Sequence, residues 1–233
     1  MINKNMKIYS IIPARGGSKG IPRKNIKNLN GKPIIAYSIE ASISNDLIKT
    51  TYVTTEDIEI SEVSKKYGAN VIKRPQRLAE DTSSSVDVIL HSLEYLEKKE
   101  KLPDFFVLLQ PTSPLRTSED IKNSIKLFIN NECDALISVC EIDHSSMLSL
   151  SLKNKFLVPN CDDEFLTTRR QDLPTYYSPN GAIYITTPKS LKKNKTFIPK
   201  KTIPYIMPQE RSIDLDTPFD LKLAEFLLKN NQW

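Results

Sequence analysis

Lys7–Asn25 reads KIYSIIPARGGSKGIPRKN. Its first seven residues, KIYSIIP, form an apolar, partly β-branched run of strand length. A glycine-rich basic stretch follows at once. The chain has 6 glycines, and Gly16, Gly17, Gly20 and Gly31 all lie here beside Arg15, Lys19, Arg23, Lys24, Lys27 and Lys32. Glycine allows close approach and positive φ, so backbone N–H groups can reach phosphate oxygens. Arg15 and Lys19 add full charges and Ser18 a hydroxyl donor. A loop of this kind at the carboxyl end of a strand is where an open α/β sheet takes a nucleotide. The spacing is neither G-x-x-x-x-G-K-[ST] nor G-x-G-x-x-G, which removes the main support for a P-loop ATPase or a dehydrogenase. An arbitrary GGSKG would read as a solvated turn; basic residues packed around glycines directly after a buried strand favour a compact polyanion.

Outward from this loop, strand-sized apolar runs alternate with helical periods. The pattern predicts strands at Lys7–Pro13, Thr50–Thr54, Asn70–Lys73, Phe105–Leu109, Ala135–Cys140, Ala182–Thr187 and Ile203–Met207. Helices are expected over about Pro33–Ser44, Ile58–Tyr67, Val86–Glu97, Ser118–Asn130 and Pro218–Lys229. Thr117 with Asp120 suggests a capping box, Thr217–Pro218 an N-cap and first helical position, and Gly68 a helix stop. The expected fold is therefore α/β: a three-layer, mostly parallel sheet with helices on both faces, Rossmann-like, in one domain over residues 1–233. Residues 141–179 break the pattern and read as a small insertion, a hairpin for dimerisation. The lysines at 192, 193, 195, 200 and 201 read as a solvated loop.

The bulk numbers fit this picture. At 233 residues, 39% hydrophobic and 26% charged, the chain is ordinary for a globular domain with a sizeable core. No apolar run reaches membrane-spanning length, and the N-terminus lacks a signal-peptide core. The 3 cysteines, never in C-x-x-C spacing, argue against a disulfide framework or zinc site and for a reducing cytoplasm. A net charge of +5 is mild, and the stretch from Arg15 to Lys32 carries no interleaved aromatics, so a nucleic-acid surface is not expected.

PARGGSKGIPRKN resembles the first motif of the CMP-sialic acid synthetases, the acylneuraminate cytidylyltransferases. Further segments match in the same order: R-P-x-x-L-A-x-D-T-S-S-S (Arg74–Ser85), L-L-Q-P-T-S-P-L-R (Leu108–Arg116), and P-N-G-A-I-Y (Pro179–Tyr184) with S-I-D-L-D-T (Ser212–Thr217). The resemblance spans nearly the whole chain. It implies nucleotidyl transfer: a hydroxyl of a nine-carbon acidic sugar attacks the α-phosphorus of CTP, and pyrophosphate leaves. Catalysis of this kind is mostly positioning and charge neutralisation.

By this resemblance, Arg15 and Lys19 hold the triphosphate and stabilise the leaving group, with Gly16, Gly17 and Ser18 lining the same pocket. Lys24, Asn25, Arg74 and Ser85 contact phosphate or cytidine; taken alone, Arg74 is a strand-end residue and Ser85 the N-cap of the next helix. Asp214 and Asp216, at i and i+2 on an extended segment, point to one side and suit Mg²⁺; alone they read as solvated aspartates before a helix N-terminus. Gln110, Arg170, Asn180, Tyr184 and Phe197 match sugar-pocket positions, with Arg169 or Arg170 a partner for the sugar carboxylate, while Arg116 and His144 read as structural. Tyr184 and Phe197 fit a plain core equally well. Met147 and Leu148 are apolar where some neuraminate-specific relatives carry lysine, which favours a less polar sugar such as legionaminate.

The acceptor thus stays open between N-acetylneuraminate and N,N′-diacetyllegionaminate, with pseudaminate or Kdo as alternatives. A non-catalytic protein on the same fold would be expected to lose Arg15, Lys19 or the aspartate pair, and all are present. The resemblance also implies a homodimer.

Overall fold

The computed structural model describes residues 6–18, 20–142, 149–160, 168–169, 172 and 174–230. Lys19, His144, Met147, Leu148 and Arg170 lie outside the described residues. In chain order the elements are β1 (Ile8–Pro13), β2 (Asn28–Leu29), β3 (Lys32–Pro33), α1 (Ile34–Ile43), β4 (Thr50–Thr55), α2 (Ile58–Lys66), β5 (Asn70–Lys73), α3 (Ser85–Glu97), β6 (Phe105–Leu108), α4 (Ser118–Ile129), β7 (Ala135–Glu141), β8 (Leu150–Lys153), β9 (Phe156–Pro159), β10 (Tyr177–Thr186), α5 (Pro188–Asn194), β11 (Thr202–Met207) and α6 (Pro218–Asn230). The seven expected strands form one sheet in the order β11-β7-β10-β6-β1-β4-β5. Within it, β10 runs against both neighbours and the other pairings are parallel.

Alternation along the strands divides the core in two. Phe105, Val107 and Leu109 join Ile35, Ile39, Ile60, Ile121, Ile125 and Phe128, so one face carries α1, α2 and α4. Ile11, Phe106 and Leu108 join Ile89, Leu90, Leu93 and Leu191, so the other carries α3 and α5. Burying a side chain such as Phe106, fully inaccessible, is worth about 1.5–3 kcal/mol. The inner strands β1, β6 and most of β7 are buried on both faces, which is why their runs read as continuously apolar.

The expected helix ends hold. Thr117 and Asp120 form a reciprocal capping box, Asp220 N–H donates to Thr217 Oγ1 at 3.3 Å, and Gly68 has φ +90°. Other details differ. Ser84, not Ser85, caps α3, its side chain accepting from the Asp87 N–H. Ser85 is the first helical residue. Lys192 and Lys193 belong to α5, a helix capped by Thr187 with Pro188 at its start, where a loop was expected. β10 begins at Tyr177 rather than Ala182, and a register shift against β7 between Pro179 and Tyr184 hides its alternation. In the 141–179 segment β8 and β9 form an antiparallel hairpin separate from the main sheet.

Candidate active site

The loop after β1, the segments that follow β5 and β6, and the segment before α6 meet at the carboxyl edge of the sheet. They enclose a cleft of about 450 Å³ lined by Arg15, Ser18, Lys24, Asn25, Arg74, Ser85, Gln110, Thr112, Asp214 and Asp216 among others. Residues from distant parts of the sequence thus come together in one place.

The glycine-rich loop is held from within and from behind. Asn25, nearly buried, donates through Nδ2 to the Arg15 carbonyl at 2.9 Å. Gly16 N–H donates to Glu56 Oε1 at 2.7 Å. A Cβ on Gly16 would fall 2.5 Å from Asp57 Oδ2, whereas one on Gly17 would meet nothing within 4 Å. Arg23, in the left-handed region at φ 55°, donates through Nη2 to Asp57 at 3.0 Å and to Glu59 at 2.6 Å. Asp57 first, then Glu59, holds the Arg23 guanidinium well above its ordinary pKa against a smaller effect of burial.

Of the cleft's cations, Arg15 pairs with Asp81 at 2.7 Å, both side chains part-exposed. Such a pair is worth little in water, so a triphosphate can take Arg15 over. Arg74 is buried, its guanidinium paired with Glu56 Oε2 at 2.8 Å. Lys24 Nζ donates to the Leu215 carbonyl at 2.6 Å and to Asp216 Oδ1 at 3.1 Å.

The D-L-D segment turns on its middle residue. Leu215 is fully buried with Ile21, Leu29, Ile34 and Ala224, which leaves Asp214 and Asp216 open to the cleft. Leu215 N–H donates to the Thr112 carbonyl at 2.9 Å. Partial burial pushes the Asp214 carboxyl up; the hydroxyl of Thr112 and the charge of Lys24 oppose this, and Asp216 and Asp220 add to it. Two crowded carboxylates in a cationic cleft fit Mg²⁺, which takes one or two carboxylates together with phosphate oxygens and water. Among the described residues no group of three or more His, Cys, Asp or Glu makes a fuller cage.

On the sugar side the expected residues separate. Gln110 lines the cleft, and Gly181, at φ +75°, leaves room for it: a Cβ there would fall 2.6 Å from Gln110 Oε1. Tyr184 packs on Phe197 with ring centroids 5.5 Å apart. Burial, then the charge of Asp214, raises the Tyr184 phenol, and both rings pack against the apolar cluster of Ile89, Leu90 and Phe106. Asn180 is turned inward: Oδ1 accepts from Ser138 Oγ at 2.6 Å and Ala182 N–H at 3.2 Å, while Nδ2 donates to Ser212 Oγ at 2.9 Å and Met207 Sδ at 3.3 Å. Arg116 is structural as expected, donating to the Gln110, Ser113 and Ala182 carbonyls, each at 3.2 Å. Burial lowers its pKa to about 10.

Sequence reasoning missed Glu56, Thr112 and Asp81. Thr112 and Asp81 lie inside motifs quoted above. Glu56 stands beside Asp57 at the end of β4, and a helix needs one cap residue, so the second acidic residue was the available signal.

The fold and the cleft define a nucleotide-binding α/β enzyme. Residues 9–229 match the sequence profile of the cytidylyltransferase family, and the chain belongs to that family; it is a nucleotidyltransferase. Its relatives include the pseudaminic acid cytidylyltransferase of Campylobacter jejuni, 35% identical over 97% of this chain and 98% of that protein. The CMP-N,N′-diacetyllegionaminic acid synthase of Legionella pneumophila is 34% identical over 97% of this chain and 98% of its own. The N-acylneuraminate cytidylyltransferase of Escherichia coli is 35% identical over 94% of this chain, which spans 51% of that protein's length. Among solved structures, a CMP:2-keto-3-deoxy-manno-octonic acid synthetase complexed with CTP superposes with a TM-score of 0.72 at 16% identity, over 96% of this chain and 98% of the other.

Proposed function

We propose that the chain transfers CMP from CTP to a nine-carbon acidic sugar and releases pyrophosphate. One observation carries the reading: the phosphate loop and the Asp214–Asp216 segment are built against each other in one cleft, with Lys24 bridging both. Arg15 and Lys19 would bind the β- and γ-phosphates, Ser18 and Lys24 the phosphates nearer the sugar. Asn25, Arg74 and Ser85 would orient the nucleoside. Mg²⁺ held by Asp214 and Asp216 would neutralise charge on the phosphate oxygens as the α–β bond breaks. Gln110, Tyr184, Phe197 and Arg170 would position the sugar for in-line attack.

Relatives named for neuraminate, legionaminate and pseudaminate stand at similar identity, which supports the sugar class rather than one member. Within it we favour N-acetylneuraminate or N,N′-diacetyllegionaminate. We read the reaction as cytoplasmic, where CTP would be supplied. Among the described residues no helix is long and apolar enough to cross a membrane. The ³¹P spectrum of a reaction mixture tests the chemistry: a new CMP diester with free pyrophosphate supports it, and CDP or phosphate without the diester contradicts it.

We also read the β8–β9 hairpin as a homodimer contact. Leu152 and Leu157 face each other across it and are 70% and 65% exposed, an arrangement that a partner surface would bury. Light scattering of Leu152→Glu/Leu157→Glu tests this; a mass unchanged from the parent's dimer contradicts it.

A further inference from the structure

We infer that Glu56 is a positioning residue whose carboxylate clasps the phosphate loop to Arg74, holding the triphosphate and nucleoside contacts in one register. The inference rests on the nucleotidyl-transfer reading above. One oxygen, Oε1, accepts the Gly16 N–H at 2.7 Å. The other, Oε2, accepts from Arg74 Nη2 at 2.8 Å and Nε at 3.3 Å. Both side chains are withdrawn from solvent, Arg74 4% and Glu56 10% exposed. A carboxylate that bridges two buried partners, one oxygen to each, fixes distance as well as charge.

Glu56 has no part in starting the helix that follows. Asp57 caps α2, its side chain accepting from the Ile60 N–H, while Glu56 turns back toward the loop. The strand end it stands on is tied to both partners by backbone bonds as well: Ala14 N–H donates to the Thr54 carbonyl at 3.0 Å and Arg74 N–H to the Thr55 carbonyl at 2.9 Å. The clasp also revises the part played by Gly16. Its N–H is committed to Glu56, so Gly16 shapes the loop rather than holding phosphate. A Cβ there would meet Asp57 Oδ2 at 2.5 Å and Arg23 Nη1 at 3.1 Å, so a side chain at this position would have to displace the Arg23–Asp57 pair. With Glu56 balancing its charge, Arg74 offers directed donors rather than a net cation, which suits a base or ribose better than a triphosphate.

Glu56→Asp keeps the charge but is one methylene too short to reach both partners. Glu56→Gln keeps the length but turns a donor toward Gly16 or Arg74. Two readouts separate the clasp from the function. Exchange of the Gly16 amide, followed by NMR in the folded protein, needs no activity: it should be slow in the parent and fast in Glu56→Asp. In steady-state kinetics, Glu56→Asp should raise KM for CTP about tenfold, as expected for one lost charge-assisted hydrogen bond, and leave KM for the sugar within about twofold. Should Glu56→Gln fail to fold, Glu56→Asp carries the test. A fast-exchanging Gly16 amide in the parent, an unchanged KM for CTP in Glu56→Asp, or equal rises in both KM values would each overturn the clasp. A parent that turns over no sugar contradicts the function alone; the amide exchange then decides the clasp.

Discussion

Gly20 and Asp216, 196 positions apart in the chain, meet backbone to backbone: a Cβ on Gly20 would lie 2.2 Å from the Asp216 carbonyl oxygen. No side chain rotation relieves that clash, because both atoms belong to the framework of the site. The contact joins the loop assigned to the triphosphate to the segment assigned to the metal, and Lys24 locks it by bonding Leu215 and Asp216. Gly20→Ala must push Asp216 back by about 1 Å, a displacement that can cost on the order of a hundredfold in rate. Gly17→Ala, with open space around its Cβ, should stay within about threefold of the parent. Comparing kcat/KM of the two variants checks this; equal losses would mean that close approach at Gly20 does not matter.

Asp216 is 73% exposed in its side chain, so its removal should not disturb the fold. Asp216→Ala is expected to melt within about 1 °C of the parent, as surface changes do, and to lose turnover at every Mg²⁺ concentration. Full activity at unchanged melting would withdraw Asp216 from the metal site.

Asn180 gives a contrasting case. Its amide has four partners in the interior, so Asn180→Ala should cost about 2–3 kcal/mol for the lost hydrogen bonds and stranded polar atoms. At this chain length that lowers Tm by roughly 5–10 °C. A raised KM for the sugar with unchanged melting would instead return Asn180 to the sugar pocket.

A pH dependence follows from Asp120. Burial pushes this carboxyl up, but bonds from Arg211 and Thr117 prevail and hold it below the usual range. A depressed carboxylate contributes stability that is present above its unfolded pKa of about 3.9 and is lost as pH falls through the folded value. Asp120→Asn, which removes the charge that Arg211 and Thr117 bond, should therefore destabilise at pH 7 by about 1.5–3 kcal/mol, the worth of hydrogen bonds to a charged group, with the difference shrinking below about pH 4. Thermal melts across pH 3–8 check the sign. A deficit that grows on acidification would contradict it.

The sequence carried most of the architecture because the inner strands β1, β6 and β7 are largely buried on both faces and stand out as apolar runs between capped helices. It also carried the cleft, since the loop, Arg74, Ser85, Gln110 and the two aspartates all lie within quoted motifs and all reach one place. What was hidden depends on partners far apart in the chain. Leu215 looks like a spacer between aspartates until its burial against Ile21 shows it to be the pivot. Asn180 matches a sugar-pocket position by resemblance, and only the packing of Ser138, Ser212 and Met207 around it turns it inward. Glu56 carries no motif of its own, and the irregular β10 concealed its first five residues, Tyr177 to Gly181, behind a proline and a shifted register.

Pyrophosphate release from CTP and Mg²⁺ with a panel of N-acetylneuraminate, N,N′-diacetyllegionaminate, pseudaminate and Kdo measures the proposed transfer itself. Rapid release is expected with one nine-carbon sugar, N-acetylneuraminate or N,N′-diacetyllegionaminate ahead of the others, and little with the eight-carbon Kdo. Folded protein that binds CTP yet releases no pyrophosphate with any nine-carbon sugar, or that prefers Kdo, would contradict it.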